Sequence, residues 1–333
     1  MTKFAVMGAG SWGTTFAKVL ADGGNEVILW ARREDVVEDI NDHHRNGDYL
    51  PGIDLPENLK ATLDPAEALD GASQVYIAVP SSSLRANLEV WGGMIPSDAI
   101  LVSLMKGVEQ GTGLRMSQVI EEVLDWPKSQ VVVVSGPNLS AEIAAMHPTA
   151  AVAASSKAES AAAVAKASTN DYFTTFINKD VIGTEFGGIL KNLIAVAIGI
   201  VNGVGFGQNT KASIMTRGLA EISRFAVAYG AKPNTMMGLA GLGDLIATSE
   251  SPLSRNFKAG EMLGKGFSKR EVLRRLSQTA EGLNSVGPVL ELAAAKGVKM
   301  PIVEQVQLVI EGKMKPAEIA PHLLGEDEEP QGE

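Results

Sequence analysis

The sequence predicts an α/β protein: a doubly wound, mostly parallel sheet followed by an all-α C-terminal domain. Three observations predict it. Short apolar runs suited to strands alternate with helical segments as far as Ile177. A glycine-rich turn, Gly8-Ala9-Gly10-Ser11-Trp12-Gly13, joins the first strand to the first helix. From about Ile182 the strands stop and helical periods take over. The expected organisation is a first domain over 1–182, a helical domain over 183–324 and a disordered acidic tail over 325–333. The 333 residues suffice for two cores, and 45% hydrophobic with 20% charged residues is ordinary for a globular chain. Cysteine is absent, which removes disulfides and thiolate metal sites. A formal net charge of -10 argues against nucleic acid or an anionic membrane as partner.

Residues 3–7 read as a short buried strand, and a helix follows the glycines from Thr14 to about Ala21. G-x-G-x-x-G in this strand–turn–helix setting is a dinucleotide-binding pattern, so the first domain is expected to be Rossmann-type. Gly8 permits the tight turn, Gly10 admits a pyrophosphate to the backbone, and Gly13 lets the helix pack on the strand. The helix N-terminus adds N–H groups and partial positive charge. A chance glycine-rich turn is the plainer alternative. The second strand, Glu26–Trp30, ends in Ala31-Arg32-Arg33 instead of the acid that usually holds a ribose 2′-hydroxyl. Two guanidiniums suit a 2′-phosphate, so NADP is favoured over NAD. Glu34 and Asp35 follow at once, and a solvated loop is the competing reading.

Residues 35–60 read as a helix and an irregular loop. His43 and His44 lie there, but adjacent helical residues point different ways, so a metal pair is not expected. Further strands are expected over 74–79, 99–103, 130–134, 150–154 and 172–177, with Ser81–Ser83 capping the helix after the first of these. Ligands of such sheets sit beyond the carboxyl ends of strands. That rule selects Gly8–Gly13, Lys106 and Ser135–Asn138.

The second domain opens on an apolar stretch, Glu185–Gly207. Between Glu185 and Lys211 its one charged residue is Lys191. As a helix it is apolar nearly all round and hence buried, with Thr184, Lys191 and Asn202 on one face and the lysine aimed at a cleft. The alternative is a lysine reaching solvent from a helix end. The longest apolar run, Leu193–Val201, is about half a membrane span, so no spanning helix is expected. Nor does the N-terminus read as a signal peptide. Gln208–Tyr229 reads as an amphipathic helix with Arg217, Glu221 and Arg224 on its wet face. A glycine-rich turn, Met237–Asp244, precedes Ser254-Arg255-Asn256, whose hydroxyl, guanidinium and amide suit a phosphate. Ser254 as a plain helix cap is the competing reading. Helices are expected over 268–277, 285–296 and 301–311.

A nicotinamide cofactor carries hydride, and the alcohol or carbonyl it acts on needs a positioned acid–base group. None of the four histidines stands in an obvious site. Lys191 is the candidate. Burial near Lys106 would lower its pKa and Asp244 would raise it, and the sequence leaves that balance open.

Gly8-Ala-Gly-Ser-Trp-Gly-Thr14, Lys106-Gly107, Ser135-Gly-Pro137, Leu190-Lys-Asn192, Gly241-Leu-Gly-Asp244 and Ser254-Arg-Asn256 together resemble the bacterial NAD(P)-dependent glycerol-3-phosphate dehydrogenases. The resemblance covers about residues 3–310 in the same order. It implies interconversion of sn-glycerol 3-phosphate and dihydroxyacetone phosphate by a cytoplasmic homodimer that supplies phospholipid synthesis. It implies Lys191 as proton acceptor. Cofactor contacts fall to Ser11, Trp12, Arg32, Arg33, Tyr49, Lys106, Ser140, Arg255, Thr279 and Glu281. Substrate contacts fall to Lys106, Gly136, Asn138, Lys191, Asp244, Ser254, Arg255 and Asn256. The chain departs from the family at Asn138, usually Ser or Thr, at Ser140, usually Ala, at Thr279, usually Val, and at Met105, usually Ser. A hydroxy-acid dehydrogenase and a non-catalytic NADP sensor are the competing readings.

Overall fold

A computed structural model describes residues 2–276 and 280–319. The strands are β1 (Lys3–Met7), β2 (Glu26–Trp30), β3 (Leu59–Thr62), β4 (Gln74–Ile77), β5 (Ile100–Ser103), β6 (Val131–Ser135), β7 (Thr149–Ala154) and β8 (Phe173–Asn178). They form one sheet in the order β3-β2-β1-β4-β5-β6-β7-β8. Every neighbouring pair is parallel except β6 and β7. Between them run α1 (Ser11–Asp22), α2 (Glu34–His43), α3 (Pro65–Leu69), α4 (Leu84–Trp91), α5 (Met116–Leu124), α6 (Ser140–Ala144) and α7 (Ala158–Ser168). Successive strand residues point to opposite faces. So Phe4, Val6, Val27 and Leu29 enter one core, while Ala5, Met7, Val75 and Ile77 enter another. Both faces are covered, as a parallel sheet requires.

Edge strand β3 starts at the end of the stretch expected to be a helix and an irregular loop and runs two residues past it. It has four residues behind a proline-interrupted loop, too few to set up an alternation. Ser83 stands at the N-cap of α4, but its hydroxyl donates to the Pro80 carbonyl at 2.9 Å and makes no cap bond.

The chain divides into two compact units, Met1–Glu185 and Phe186–Glu333. The helices from this point are α8 (Val181–Val204), α9 (Gln208–Ala228), α10 (Pro233–Met236), α11 (Asp244–Glu250), α12 (Arg255–Gly264), α13 (Lys269–Arg275), α14 (Glu281–Ala295) and α15 (Pro301–Ile310), with a π-turn over Leu239–Gly243. The expected acidic tail over 325–333 lies outside the described residues.

At the end of the first unit the Glu185 side chain is fully enclosed. It accepts from Arg115 Nη1 at 2.5 Å, Ser117 N at 2.8 Å and Ser117 Oγ at 2.7 Å.

Helix α8 has 24 residues, and its most apolar 18-residue stretch has a mean hydropathy of 1.6, long and apolar enough to cross a membrane by length and composition. Counting only the unbroken run Leu193–Val201 understated it. Within the protein, 83% of its most apolar window is buried, as expected for a core helix.

Helices α8 and α12 cross backbone to backbone. A Cβ on Gly199, Gly203, Gly260 or Gly264 would lie 2.1–2.2 Å from a carbonyl oxygen of the opposing helix. Only glycine lets main chains approach so closely.

Glu221 on α9 is not on a wet face; it is 1% exposed. Its carboxylate accepts from Ile302 N at 2.9 Å and Val303 N at 3.1 Å, the free amides that open α15. Burial pushes this carboxyl up to about 7, against those two donors and Arg224, with Glu304 adding to the rise. Its pKa is thus higher folded than unfolded. The associated stability is complete below about pH 4 and is lost as pH rises through about 7, on the order of 3 kcal/mol. Thermal denaturation between about pH 5 and pH 8 should carry this slope, and Glu221→Gln should flatten it. Identical slopes in both proteins would mean that Glu221 titrates as an ordinary carboxyl.

Candidate active site

In the first unit, the carboxyl ends of β1, β5 and β6 are tied together. The chain leaves β1 through Gly8, whose φ is 123° and whose N–H donates to the Trp30 carbonyl at 3.1 Å. A Cβ on Gly13 would lie 1.8 Å from the Gly8 carbonyl oxygen, which is how closely α1 folds back on the turn. The Trp12 indole N–H donates to the Leu104 carbonyl at 3.1 Å, joining the turn to the loop after β5. Lys106 Nζ donates to the Gly136 carbonyl at 3.1 Å, joining that loop to the one after β6. Thr15 Oγ1 donates to the carbonyl of Ser140, where α6 begins, at 3.4 Å.

These residues fit a dinucleotide. Nothing lies within 4 Å of a Cβ built on Gly10, so the turn is open there. Helix α1 has no side-chain cap on its first amides and no acid in its first turn, the arrangement that receives phosphate. Tyr49 is half-buried and packs with Trp12 against the core beneath. Arg32 and Arg33 are exposed at the end of β2. Asn138 carries both polar atoms of its amide buried and without a hydrogen-bond partner. A buried unpaired amide is costly unless a ligand satisfies it.

In the second unit, Lys191 is 6% exposed, near the middle of α8 and not at its end. Its Nζ donates to Asp244 Oδ1 at 2.9 Å and to the Thr248 hydroxyl, which itself donates to Asp244 Oδ1 at 3.2 Å. The π-turn sets Asp244 as the first residue of α11, with Thr248 one turn later. Asn202, expected on the face of Lys191, bonds to Glu261 and Lys211.

Ser254 caps α12, its Oγ accepting from Phe257 N at 3.2 Å. Asn256 donates to Asn192 Oδ1 at 2.8 Å and accepts from Gly282 N at 2.9 Å. Asn192 follows Lys191, so the N-terminus of α12 is bonded next to the lysine. Arg255 reaches solvent, yet the surrounding protein lowers its guanidinium from the ordinary value, with Glu281 opposing that shift. Thr279 lies outside the described residues.

Sequence reasoning passed over Asn46, Thr248 and Asn192 as site residues. Thr248 stands four residues after Asp244, a same-face helical spacing that marks it. Asn46 carries no such signal. It is 1% exposed and donates to the Ala9 carbonyl at 3.1 Å and Thr14 Oγ1 at 2.8 Å, holding the glycine turn.

A dinucleotide turn on a doubly wound sheet, together with a buried lysine–carboxylate pair in a helical unit, is the equipment of a nicotinamide-dependent dehydrogenase. Residues 3–161 match the family described as NAD-dependent glycerol-3-phosphate dehydrogenase N-terminus, and residues 180–321 match its C-terminus. The chain belongs to the NAD-dependent glycerol-3-phosphate dehydrogenase family. It is 60% identical to "Glycerol-3-phosphate dehydrogenase [NAD(P)+]" of Leifsonia xyli subsp. xyli, over 98% of this chain and 89% of that one. It is 52% identical to the protein of the same name from Thermobifida fusca, over 96% of this chain and 95% of that one. The crystal structure of glycerol-3-phosphate dehydrogenase from Coxiella burnetii superposes with a TM-score of 0.92 at 34% identity, covering 98% of this chain and 99% of that one.

Proposed function

We propose that this protein interconverts dihydroxyacetone phosphate and sn-glycerol 3-phosphate, with Lys191 as the acid–base group. The observation that carries the reading is the buried Lys191–Asp244–Thr248 cluster bonded beside the N-terminus of α12. A bound nicotinamide supplies the hydride. In the direction of reduction, Lys191 gives a proton to the carbonyl oxygen of the substrate. In oxidation it takes the hydroxyl proton. Asp244 and Thr248 hold the ammonium in one place, so proton transfer needs no search over lysine rotamers.

Ser254, Arg255 and Asn256 receive the phosphate, helped by the first-turn amides of α12. Lys106, Gly136 and Asn138 are further substrate contacts, and the unpaired amide of Asn138 supports that role. Asn138 is longer than the serine or threonine usual in the family, so it reaches further toward the ligand. Gly8, Gly10, Ser11, Trp12, Gly13, Arg32, Arg33, Tyr49, Lys106, Ser140, Arg255, Thr279 and Glu281 form the cofactor set. Arg32 and Arg33 favour NADP over NAD, Arg32 the more strongly because Arg33 is already held by Asp35 and Asp48. The protein works as a cytoplasmic homodimer that supplies glycerophospholipid synthesis.

Purified protein should oxidise NADPH, and NADH more slowly, when dihydroxyacetone phosphate is added. Turnover of keto acids alone would transfer the chain to the hydroxy-acid reading. Cofactor binding without turnover of any phosphorylated triose would make it a sensor.

A further inference from the structure

We propose that Asp48, with Asp35, sets the preference between NADP and NAD by occupying Arg33, which leaves Arg32 as the guanidinium that takes a 2′-phosphate. The proposal rests on the dinucleotide reading above. Arg33 Nε donates to Asp35 Oδ1 at 3.0 Å, and its Nη2 contacts both Asp35 Oδ2 and, at 2.7 Å, Asp48 Oδ2. One guanidinium held by two carboxylates gives the clamp itself a net negative charge, beside the positive Arg32. Arg32 is exposed and makes no hydrogen bond or ion pair among the described residues.

Asp48 is presented by its neighbours. Asn46 is anchored in the glycine turn through Ala9 and Thr14. Gly47 N donates to Asp39 Oδ2 at 2.9 Å, and Tyr49 N and Leu50 N both donate to the Asn46 carbonyl. Arg45 Nε closes the base of the loop on Asp54 Oδ1 at 3.0 Å. The loop that secures the pyrophosphate turn therefore also holds a carboxylate against the arginine after β2.

The electrostatic consequence differs between the two nucleotides. A 2′-phosphate that approaches Arg33 must displace one carboxylate and is repelled by the other. A 2′-hydroxyl is neutral and can donate to a carboxylate. The clamp thus opposes NADP without opposing NAD, while Arg32 draws the phosphate. The clamp side chains are 49–63% exposed, so the effect is modest and weakens with salt.

The test is the dissociation constant of NADPH and of NADH, measured by titration calorimetry at low ionic strength without substrate. The proteins are the natural chain, Asp48→Asn, Arg32→Ala and Arg33→Ala, with thermal denaturation to verify folding. Asp48→Asn should tighten NADPH roughly threefold to fivefold and leave NADH unchanged. Arg32→Ala should weaken NADPH by about tenfold, and Arg33→Ala should weaken it less. An unchanged NADPH-to-NADH ratio in Asp48→Asn, or equal losses in the two arginine variants, would overturn the proposal. If the natural chain bound neither nucleotide, the dinucleotide reading itself would fall, and this proposal with it.

Discussion

Replacing Lys191 by alanine should lower kcat for dihydroxyacetone phosphate by about 10²–10⁴-fold, the usual worth of a positioned acid–base group. KM should move far less, because Ser254, Arg255 and Asn256, the proposed phosphate contacts, are left in place. A loss confined to kcat marks an interaction made in the transition state. Lys191 is enclosed in a polar cluster, so removing it also perturbs packing around Asp244 and Thr248. Thermal denaturation separates the two effects: a folded variant with low kcat supports the assignment. Lys191→Arg preserves charge but places its hydrogens elsewhere, and should recover little activity. A folded Lys191→Ala protein whose kcat stays within a few fold of normal would remove lysine from the mechanism.

The second large effect is on stability. Glu185→Ala should cost about 3–5 kcal/mol, the usual result of deleting one partner of a buried ion pair. The Arg115 side chain is 12% exposed, and the Ser117 amide and hydroxyl are directed at the same carboxylate. Alanine would leave three donors deprived of their common acceptor in a place that water reaches poorly. Urea denaturation should show the midpoint falling well below that of the natural chain. An unfolding free energy within about 1 kcal/mol of normal would show that another group takes over the acceptor role.

Much of this architecture is legible in the sequence, for reasons specific to each element. Gly8–Gly13 is local: a strand, a turn and a helix in one continuous stretch contain the whole motif. Lys191 stands out because it interrupts an apolar run, and the structure places it in the interior of α8. Glu221 shows where such reasoning stops. Helical periodicity assigns a glutamate to water, but its partners are the amides that open α15, far along the chain and invisible to any local window. Edge strand β3 has four residues, too short for alternation to register. Asn46 gives no pattern at all, since its role depends on the turn that it reaches across space. Asn256 is intermediate: its type suits a phosphate, but both ends of its amide bond Asn192 and Gly282, which only coordinates reveal.

The glycine crossing of α8 and α12 has a consequence for how this enzyme can diverge. Because main chain rests on main chain, the distance from Lys191 to the N-terminus of α12 acts as a ruler made of peptide units. Hydrophobic side chains elsewhere can drift in size without stretching it. Slippage by one glycine interval would carry α12 about 6 Å along its neighbour, too far for Asn256 to reach Asn192. The ruler therefore reads one length or none, and on the proposed reading the three-carbon reach between proton and phosphate is inherited with the backbone.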